Sequence, residues 1–369
     1  MKKILAVVLS LSMVLAFTAC GGSSTSEAGG KFYVLGPTPD HGWTAQAGAF
    51  AEAKCAEVTE AGDYEAVFMS ANSGEEQVDL VNTIVSNGDA DLVVIMALDD
   101  TAQPAVETLI SEEIPFIEFD RFILSCKDKA VLNYSGDNYS CGAGIAYWLQ
   151  KNGMEPGATL VTLTGDTGSV CLYREQGFYE FLEGERDYTD EQTGETAHTT
   201  TEWTEAEIDA IYDTYNVVCD WSADGAYQYL EQKIDEIVAA AKANNGKLFI
   251  FSQDDEMTFG FLNLLDAAAV SDATKADLED LEVYISAIGG MQELYNVMLG
   301  EDDQSATADT YFDDMMSVSF NPSMMNTVID YAMSYLSGDW DFEVGEDAVE
   351  PVFIVDRTNA GDFEGFQGH

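Results

Sequence analysis

The stretch "KLFIFSQDDEMTFGFLNLL", residues 247–265, contains a predicted strand, a polar turn and the start of a predicted helix. The strand covers residues 247–252, and the helix covers residues 258–270. Gln253, Asp254 and Asp255 lie in the turn between them. The two carboxylates are also suitable N-caps for the helix. A strand that leads through a short turn into a helix is the repeating unit of an α/β fold.

The same unit recurs along most of the chain. The continuous apolar run "DLVVIMA", residues 91–97, is typical of a strand buried on both faces of a sheet. Strands are predicted over 31–37, 64–70, 91–97, 114–119, 159–164, 247–252, 283–288 and 351–356, and helices over 44–61, 75–87, 102–113, 142–152, 174–183, 226–244, 258–270 and 320–336. This alternation predicts two successive α/β units with parallel sheets and right-handed crossovers. The polar segment 184–215 is predicted to be an insertion at the surface of a lobe.

The N-terminal residues have the features of a secretion signal. Two lysines precede the apolar segment 4–17, which is too short for a comfortable membrane span. Small residues and Cys20 follow, in a pattern that resembles the lipobox of bacterial lipoproteins. We therefore expect residues 1–19 to be a signal peptide, Cys20 to be the lipidated N-terminus and residues 20–30 to be a flexible tether. An ordinary secretory signal with an incidental cysteine is the alternative.

The composition excludes several classes of function. The formal net charge is −52, so nucleic acid is an unsuitable partner, because its binding requires a basic surface. A neutral or cationic small ligand suits this field better than an anion. Three histidines, His41, His198 and His369, are too few for a multi-histidine metal centre. We expect no cofactor and no metal, and at least one free thiol among the five cysteines after Cys20.

Polar and aromatic residues follow the predicted strands at the points where the strands end. Ligands of open parallel sheets bind outside the carboxyl ends of the strands, so these residues are candidates for one site. They are His41 and Trp43 after the first strand, Asp120 and Arg121 after 114–119, Arg174 after 159–164, Trp221 after 217–218, and Asp254 after 247–252. Each has an alternative role as a core residue, a helix cap or half of an ion pair. Their common position at strand ends favours one shared site.

This set of side chains matches the chemistry of a sugar. A sugar ring has an apolar face of C–H groups, on which aromatic plates pack. It also has a rim of hydroxyls, which Arg and Asp side chains bind through charge-assisted hydrogen bonds. We therefore expect Trp43 to lie against a sugar face.

Three motifs resemble those of type I periplasmic sugar-binding proteins, the ribose- and galactofuranose-binding group that serves ABC transporters. "IPFIEFDR", residues 114–121, is similar to the family's "IPV-x-x-x-DR", and "YREQGF", residues 173–178, to its Arg-x-x-Gly-Phe. The most specific match is residues 249–265, which are similar to "F-x-x-N-D-x-M-A-x-G". The resemblance covers residues 31–369. It implies two Rossmann-like lobes, joined by a three-segment hinge, that close on a sugar.

The resemblance also implies boundaries and contacts. The N-terminal lobe would comprise residues 31–135 and 320–350, and the C-terminal lobe residues 136–319 and 351–369. The ligand contacts implied by position are His41, Trp43, Asp120, Arg121, Arg174, Trp221 and Asp254.

Two segments depart from the family's pattern. In "ISAIGGMQ", residues 285–292, Ile288 and Gly289 stand where the family usually has a sugar-binding Asp. Gln292 is the candidate to replace that contact. The segment 300–321 is longer than the family's last hinge. These departures leave open which sugar is bound, and whether it is a furanose or a pyranose.

Other functions remain as alternatives. A glycoside hydrolase also binds sugar through Trp and carboxylates, and Asp120 and Asp254 would be its acid–base pair. However, the adjacent Arg121 is expected to hold Asp120 ionised, whereas a general acid needs a raised pKa. A lipoprotein of the same fold that binds a nucleoside or a signal molecule is the closer alternative. The acidic segment 339–350 has the acid spacing of a calcium loop, but Val344 stands where the loop needs its glycine and Gly345 comes one position later, so an acidic turn is expected.

The combined prediction is a binding protein rather than an enzyme. We expect an extracytoplasmic lipoprotein that captures a sugar between two lobes and delivers it to the permease subunits of an ABC importer. It would contact the membrane through its lipid anchor, bind no nucleic acid and act as a monomer.

Overall fold

A computed structural model describes residues 29–38 and 42–368. The strands are β1 (Lys31–Pro37), β2 (Glu65–Ala71), β3 (Leu92–Ile95), β4 (Phe116–Phe119), β5 (Leu132–Gly136), β6 (Thr159–Thr164), β7 (Tyr188–Thr189), β8 (Thr196–Ala197), β9 (Asn216–Val218), β10 (Lys247–Ser252), β11 (Glu282–Gly289), β12 (Asp314–Ser319), β13 (Asp347–Glu350) and β14 (Ile354–Asp356). The helices are α1 (Gly42–Ala61), α2 (Gly74–Asn87), α3 (Gln103–Ser111), α4 (Asn138–Lys151), α5 (Ser169–Glu183), α6 (Glu205–Tyr212), α7 (Ala223–Ala243), α8 (Asp255–Asp266), α9 (Asp272–Glu279), α10 (Gln292–Leu299), α11 (Ser305–Tyr311) and α12 (Met324–Ser337). The predicted signal peptide, Cys20 and His41 lie outside the described residues.

Two six-stranded sheets form the framework. The first has the order β13-β5-β4-β3-β1-β2, and all of its strands are parallel. The second has the order β14-β12-β11-β10-β6-β9. It is parallel except for β14, which pairs antiparallel with β12. The predicted α/β class with parallel sheets is therefore confirmed, and the last strand differs by running antiparallel at one edge.

The two sheets repeat the same strand order, although the sequence shows no repeat of identities. In each sheet, the first strand of the α/β unit lies between the second and the third strands of that unit. Val34 of β1 pairs with Phe68 of β2 and Val94 of β3, and β6 lies likewise between β9 and β10. The strand order reverses beside β1 and beside β6, and ligands of such sheets bind at this point.

The chain passes between the two sheets three times. It leaves the first sheet after β5, returns after β12 and leaves again after β13. The first two crossings touch, because a Cβ on Gly136 would overlap the Phe320 ring. Only glycine fits there, so the backbones at the two crossings lie close together.

The segment 184–215 is more than the surface insertion that its polar composition predicts. It forms the β7–β8 hairpin and α6. Tyr188, Trp203 and Tyr212 from this segment are buried in the core, and the Tyr188 ring stacks on Tyr147 at 5.8 Å. The Thr and Glu residues lie mostly on its exposed positions, so the average polarity hides the buried aromatic residues.

The other unusual segments also have structural roles. The long segment 300–321 holds α11 and the interior strand β12. In the acidic segment 339–350, Asp347 accepts hydrogen bonds from Lys127 Nζ at 2.8 Å and Asn133 Nδ2 at 3.0 Å. No group of three or more His, Cys, Asp or Glu residues within 29–38 and 42–368 is arranged to hold a metal ion.

Two further findings concern the cysteines and the membrane. Cys55, Cys126, Cys141, Cys171 and Cys219 are all buried and unpaired. Among the residues that the structure covers, no helix is long and apolar enough to span a bilayer.

Candidate ligand-binding cavity between the two sheets

A cavity of about 200 Å³ lies at the carboxyl ends of both sheets. One ordered water needs only roughly 10–15 Å³, so the cavity has room for a small molecule. Six of the predicted site residues line it, namely Trp43, Asp120, Arg121, Arg174, Trp221 and Asp254. These residues were selected because each follows a predicted strand. They line the same cavity although some are more than 200 positions apart in the chain.

One predicted contact, Gln292, does not line the cavity. Its side-chain amide donates to Asn296 Oδ1 at 2.9 Å and accepts from the Gly365 backbone N–H at 2.8 Å. Gln292 thus anchors the C-terminal segment to α10. It is not placed to replace the carboxylate that the family usually has near residue 289.

Trp43 lies in the first turn of α1, directly after β1. Its indole Nε1 donates to the Phe320 carbonyl at 2.6 Å. Its ring stacks on Phe119 at 6.4 Å and packs against Phe320 at 5.6 Å. The side chain is half-buried and contacts the cores of both sheets. Trp43 therefore lines the cavity and also links the hinge to the core.

Trp221 is a second aromatic residue in the cavity wall. It follows β9 and has a left-handed backbone, with φ of 56°, as does Asp220 with φ of 51°. Its Nε1 donates to Asp166 Oδ2 at 2.8 Å, and Gly165 permits close contact because a Cβ there would overlap the indole. Two successive non-glycine residues at positive φ are costly, and such strain is typical of functional sites.

Asp120 and Arg121 follow β4 and present opposite charges to the cavity. Asp120 is 7% exposed, and its Oδ1 is buried without a hydrogen-bond partner among the described residues. Burial raises the pKa of Asp120 to about 6, although Arg121 and Arg174 oppose the increase. Desolvation therefore outweighs the neighbouring charges and raises the pKa instead of lowering it. Arg121 instead forms an ion pair with Asp166, at 2.6 Å between Nη1 and Oδ2.

Arg174 is held rigidly by its neighbours. It lies on α5, which begins at Ser169, five residues before the predicted start. The side chain is 4% exposed. Its Nε donates to Asn138 Oδ1 at 2.9 Å, and its Nη1 donates to the Gln253 carbonyl. The guanidinium also lies 5.6 Å from the Trp221 ring and 5.0 Å from the Phe320 ring. Arg174 thus brings a fixed positive charge to the cavity wall.

Asp254 and Asp255 have different roles. Asp254 caps α8 by accepting the Glu256 N–H at 2.8 Å, and it also lines the cavity. Burial and the adjacent Asp255 raise the pKa of Asp254 well above its ordinary value. Asp255 is fully buried and accepts the N–H groups of Gly290 at 2.8 Å and Met291 at 2.7 Å. Its role is to hold the end of β11 in place.

This role of Asp255 explains the missing carboxylate at the end of β11. Gly289 has φ of 153°, and a Cβ there would lie 2.8 Å from Asp255 Oδ2. Any side chain at residue 289 would clash with the Asp255 carboxylate. An aspartate therefore cannot occupy this position while Asp255 caps the strand.

Several cavity residues were not found from the sequence. The additional lining residues include Met96, Leu98, Glu256, Ile288 and Phe320. Asp166, which binds both Arg121 and Trp221, follows β6 directly, so the strand-end rule could have identified it. Phe320 also directly follows a strand, β12, but no strand was predicted there from the sequence, so the rule could not be applied to it.

The charged groups on the cavity wall are mostly acidic. Within the described part of the chain, the wall holds four acidic side chains, Asp120, Asp220, Asp254 and Glu256, and two cationic ones, Arg121 and Arg174. Arg121 is already paired with Asp166. A ligand carrying a negative charge would meet this excess of carboxylates in a largely desolvated site, which is unfavourable. The wall therefore suits a neutral or cationic ligand.

Comparison with known proteins agrees with this architecture. A family model described as a periplasmic binding protein domain matches residues 32–339. A fructose import binding protein of Bifidobacterium longum is 24% identical over 291 residues, which is 74% of this chain and 76% of that protein.

Solved structures have the same fold. A galactofuranose binding protein superimposes with a TM-score of 0.63 at 18% identity, over 90% of this chain and 96% of that one. The periplasmic binding protein of the arabinose ABC transporter of Shewanella sp. ANA-3 gives 0.62 at 16% identity, over 90% and 93%. A Caulobacter myo-inositol binding protein gives 0.62 at 16% identity, over 92% and 98%.

Proposed function

Since the chain belongs to the periplasmic binding protein family, we propose that it is the receptor of an ABC importer and that it binds a sugar between its two sheets. The observation that carries this proposal is the composition of one cavity wall. Two indoles, two guanidiniums and a buried aspartate, contributed by both sheets, line the same space. The similar proteins that are named for fructose, galactofuranose and arabinose support the same class of ligand.

The wall provides both kinds of contact that a sugar needs. Trp43 and Trp221 supply aromatic surface for the C–H face of a ring. Asp120 Oδ1 and Arg121 Nε are buried polar atoms without partners in the described part of the chain. One atom is an acceptor and the other a donor, on adjacent residues, and a hydroxyl group both donates and accepts. A ligand that lacked this hydroxyl would leave both groups unpaired and would be rejected.

The function is binding, and the lobes perform it. Sheet membership supports an N-terminal lobe of residues 31–135 and 320–350 and a C-terminal lobe of residues 136–319 and 351–369, because the crossings fall at these boundaries. A sugar that contacts both lobes stabilises the closed arrangement over the open one. The closed form is the one that the permease recognises.

Family membership places the chain among binding proteins of transporters rather than enzymes. The raised pKa values of Asp120 and Asp254 follow from burial in the binding cavity, and they do not require a catalytic role. We further propose that Cys20 carries a lipid anchor after removal of residues 1–19, and that the protein acts as an extracytoplasmic monomer tethered to the membrane.

The ligand that suits this cavity best is an uncharged sugar. The acidic wall disfavours sugar acids and sugar phosphates, because an anion would add to an existing excess of carboxylates. We therefore expect an aldose or ketose to bind, and its C6 acid or phosphate ester to fail.

A thermal-shift screen tests the proposal. Residues 31–369 are incubated with D-fructose, D-galactose, L-arabinose, D-glucose, myo-inositol, galacturonate and adenosine. A ligand at a hundred times its Kd adds about 2.7 kcal/mol to stability, which corresponds to a rise of several degrees in Tm. The matched controls are Arg174→Lys, which alters the cavity, and Asp303→Asn, which changes an exposed acid.

A shift with one neutral sugar supports the proposal when Arg174→Lys abolishes it and Asp303→Asn retains it. A shift with adenosine alone would assign the cavity to nucleosides instead. If no compound in the panel stabilises the protein, or if galacturonate binds best, the proposal of a neutral sugar is wrong.

A further inference from the structure

Asp166 lies where the two sheets approach each other, next to the cavity. It follows β6 of the second sheet, in the loop that precedes α5. Its Oδ2 accepts from Arg121 Nη1 at 2.6 Å and from Trp221 Nε1 at 2.8 Å, and its Oδ1 accepts the Gly168 N–H at 2.7 Å. One carboxylate therefore binds an arginine from the first sheet and a tryptophan from the second.

The same region holds a second contact between the two sheets. The Phe122 backbone N–H donates to Ser169 Oγ at 2.9 Å, and both residues are buried. The Arg121 guanidinium lies 5.9 Å from the Trp221 ring. The loop after β4 is thus fixed to the loop after β6 by one ion pair and one hydrogen bond, beside the residues that line the cavity.

We propose that Asp166 is a positioning residue that couples sugar binding to closure of the two lobes. The proposal rests on the proposed sugar-receptor function, because it concerns the same cavity. Asp166 fixes the plane of the Trp221 indole through Nε1 and sets the direction of the Arg121 guanidinium. Asp166 contacts Arg121 only when the two sheets are close together, so the site is complete only in the closed form.

The electrostatic environment suits this role. Burial raises the pKa of Asp166, but the Arg121 guanidinium and the bonds from Trp221 and Gly168 outweigh burial and bring it below its ordinary value. The carboxylate is therefore ionised at neutral pH. The Arg121 and Asp166 side chains are only 12% and 24% exposed, so this pair is screened by salt less than a surface pair.

The backbone around Trp221 requires such a restraint. Asp220 and Trp221 both have positive φ, and the indole lies against Gly165 with no room for a Cβ. A strained segment keeps its geometry only when the surrounding contacts fix it. The bond to Asp166 is the hydrogen bond of the indole, so loss of the carboxylate frees the aromatic wall to move.

Opening of the lobes would separate Arg121 from Asp166 and would break the bond between Phe122 and Ser169. Asp166 would keep its bonds to Trp221 and Gly168, which come from its own lobe. In the sugar-free protein the ion pair therefore favours the closed form. The ion pair uses Nη1 of the Arg121 guanidinium, so Nε remains available to donate to a hydroxyl when a sugar enters.

The test compares Asp166→Asn with a matched control, Asp309→Asn. Asparagine keeps an oxygen that can accept from Trp221 or Gly168, but it removes the charge that pairs with Arg121. Asp309 forms an ion pair of the same length, 2.6 Å, with Arg357, at an exposed position away from the cavity. Asp166→Ala, which removes every bond, is the second variant, and thermal unfolding checks that each protein is folded.

Two measurements separate this proposal from the proposed function. Small-angle X-ray scattering of the sugar-free proteins needs no ligand, and a compact chain of this size has a radius of gyration of roughly 20 Å. Calorimetric titration with D-fructose, D-galactose and L-arabinose measures affinity. For Asp166→Asn we expect a larger sugar-free radius of gyration and an affinity about tenfold weaker, because one partner of a desolvated pair is lost. Asp309→Asn should match the wild type in both.

Each result has a definite meaning. If Asp166→Asn has the wild-type radius of gyration without sugar, the ion pair between Asp166 and Arg121 does not hold the lobes closed, whatever the sugar affinity. If the variant opens but binds sugar as the wild type does, the coupling is refuted. If the wild-type protein binds none of the three sugars, the proposed function fails, while the scattering data still decide whether Asp166 holds the lobes together.

Discussion

Replacement of Asp120 by asparagine should stabilise the sugar-free protein and abolish sugar binding. Burial raises the pKa of Asp120 from 3.8 to about 6, so the ionised side chain is less favourable in the folded protein than in the unfolded chain. Each pKa unit corresponds to about 1.4 kcal/mol, so ionisation of Asp120 costs up to about 3 kcal/mol. Asparagine cannot ionise and avoids this cost, but it lacks the charge that we propose binds a sugar hydroxyl.

The sign of the pH dependence follows from linkage. Below about pH 4 the carboxyl is protonated in both states, and the substitution should change stability little. Between about pH 4 and pH 6 the unfolded chain loses its proton first, so the wild type loses stability as the pH rises. At pH 8 the variant should therefore unfold several degrees above the wild type, as measured by circular dichroism without sugar.

The comparison at two pH values removes the effects of the other acids, which are common to both proteins. Asp303→Asn, at an exposed position, provides the control and should show no such pH-dependent gain. A variant that is no more stable than the wild type at pH 8, or whose advantage is the same at pH 4, would refute the claim that desolvation dominates at Asp120. Sugar binding that survives in the variant would remove Asp120 from the site.

Four further substitutions, at three positions, test the remaining parts of the site. Trp43→Ala should weaken sugar binding and also lower the free energy of unfolding by about 2–4 kcal/mol, because the half-buried ring contacts both cores; a folded variant with wild-type urea stability would show that the core role is negligible. Trp43→Phe should cost only about 1 kcal/mol, since it keeps an aromatic ring but loses the bond to the Phe320 carbonyl, and a larger loss in the same urea titration would contradict this. Arg174→Lys should raise the Kd for sugar at least a hundredfold in calorimetry, because lysine cannot reproduce the fork to Asn138 and Gln253; an unchanged Kd would exclude Arg174 from the ligand contacts. Gly289→Ala should destabilise the protein by about 1–3 kcal/mol through the clash with Asp255, and a neutral effect in thermal unfolding would mean that the Asp255 carboxylate has space to move.

Much of the fold follows from local patterns in the sequence. The predicted strands at 31–37, 159–164 and 247–252 agree with the observed bounds, because their apolar runs are bounded by polar turns. By contrast, β5 contains Asn133 and Ser135, which are buried polar residues. The side-chain NH₂ group of Asn133 donates to the Lys127 carbonyl and to Asp347, which is more than 200 residues away. Such a strand cannot be recognised from its own residues, because its polar groups are paired only by tertiary contacts.

The predictions for the site also divide into those that depend on strand order and those that depend on tertiary contacts. Six of the eight predicted ligand contacts line one cavity, because the rule that places ligands at strand ends depends only on strand order. The contact predicted for Gln292 depended on the position of a single side chain, and that amide instead binds Asn296 on α10 and Gly365 in the C-terminal segment. The pKa of Asp120 also could not be judged from its neighbour in sequence. It depends on burial, which is a property of the closed fold.

The most direct test of the account is a crystal structure of residues 31–369 with the sugar that gives the largest thermal shift. The account predicts one sugar in the cavity, with its ring against Trp43 or Trp221, a hydroxyl bound by Asp120 and Arg121, and contacts from both sheets. A sugar bound elsewhere, or one held by a single sheet, would contradict the claim that this protein captures its ligand by closing two lobes around it.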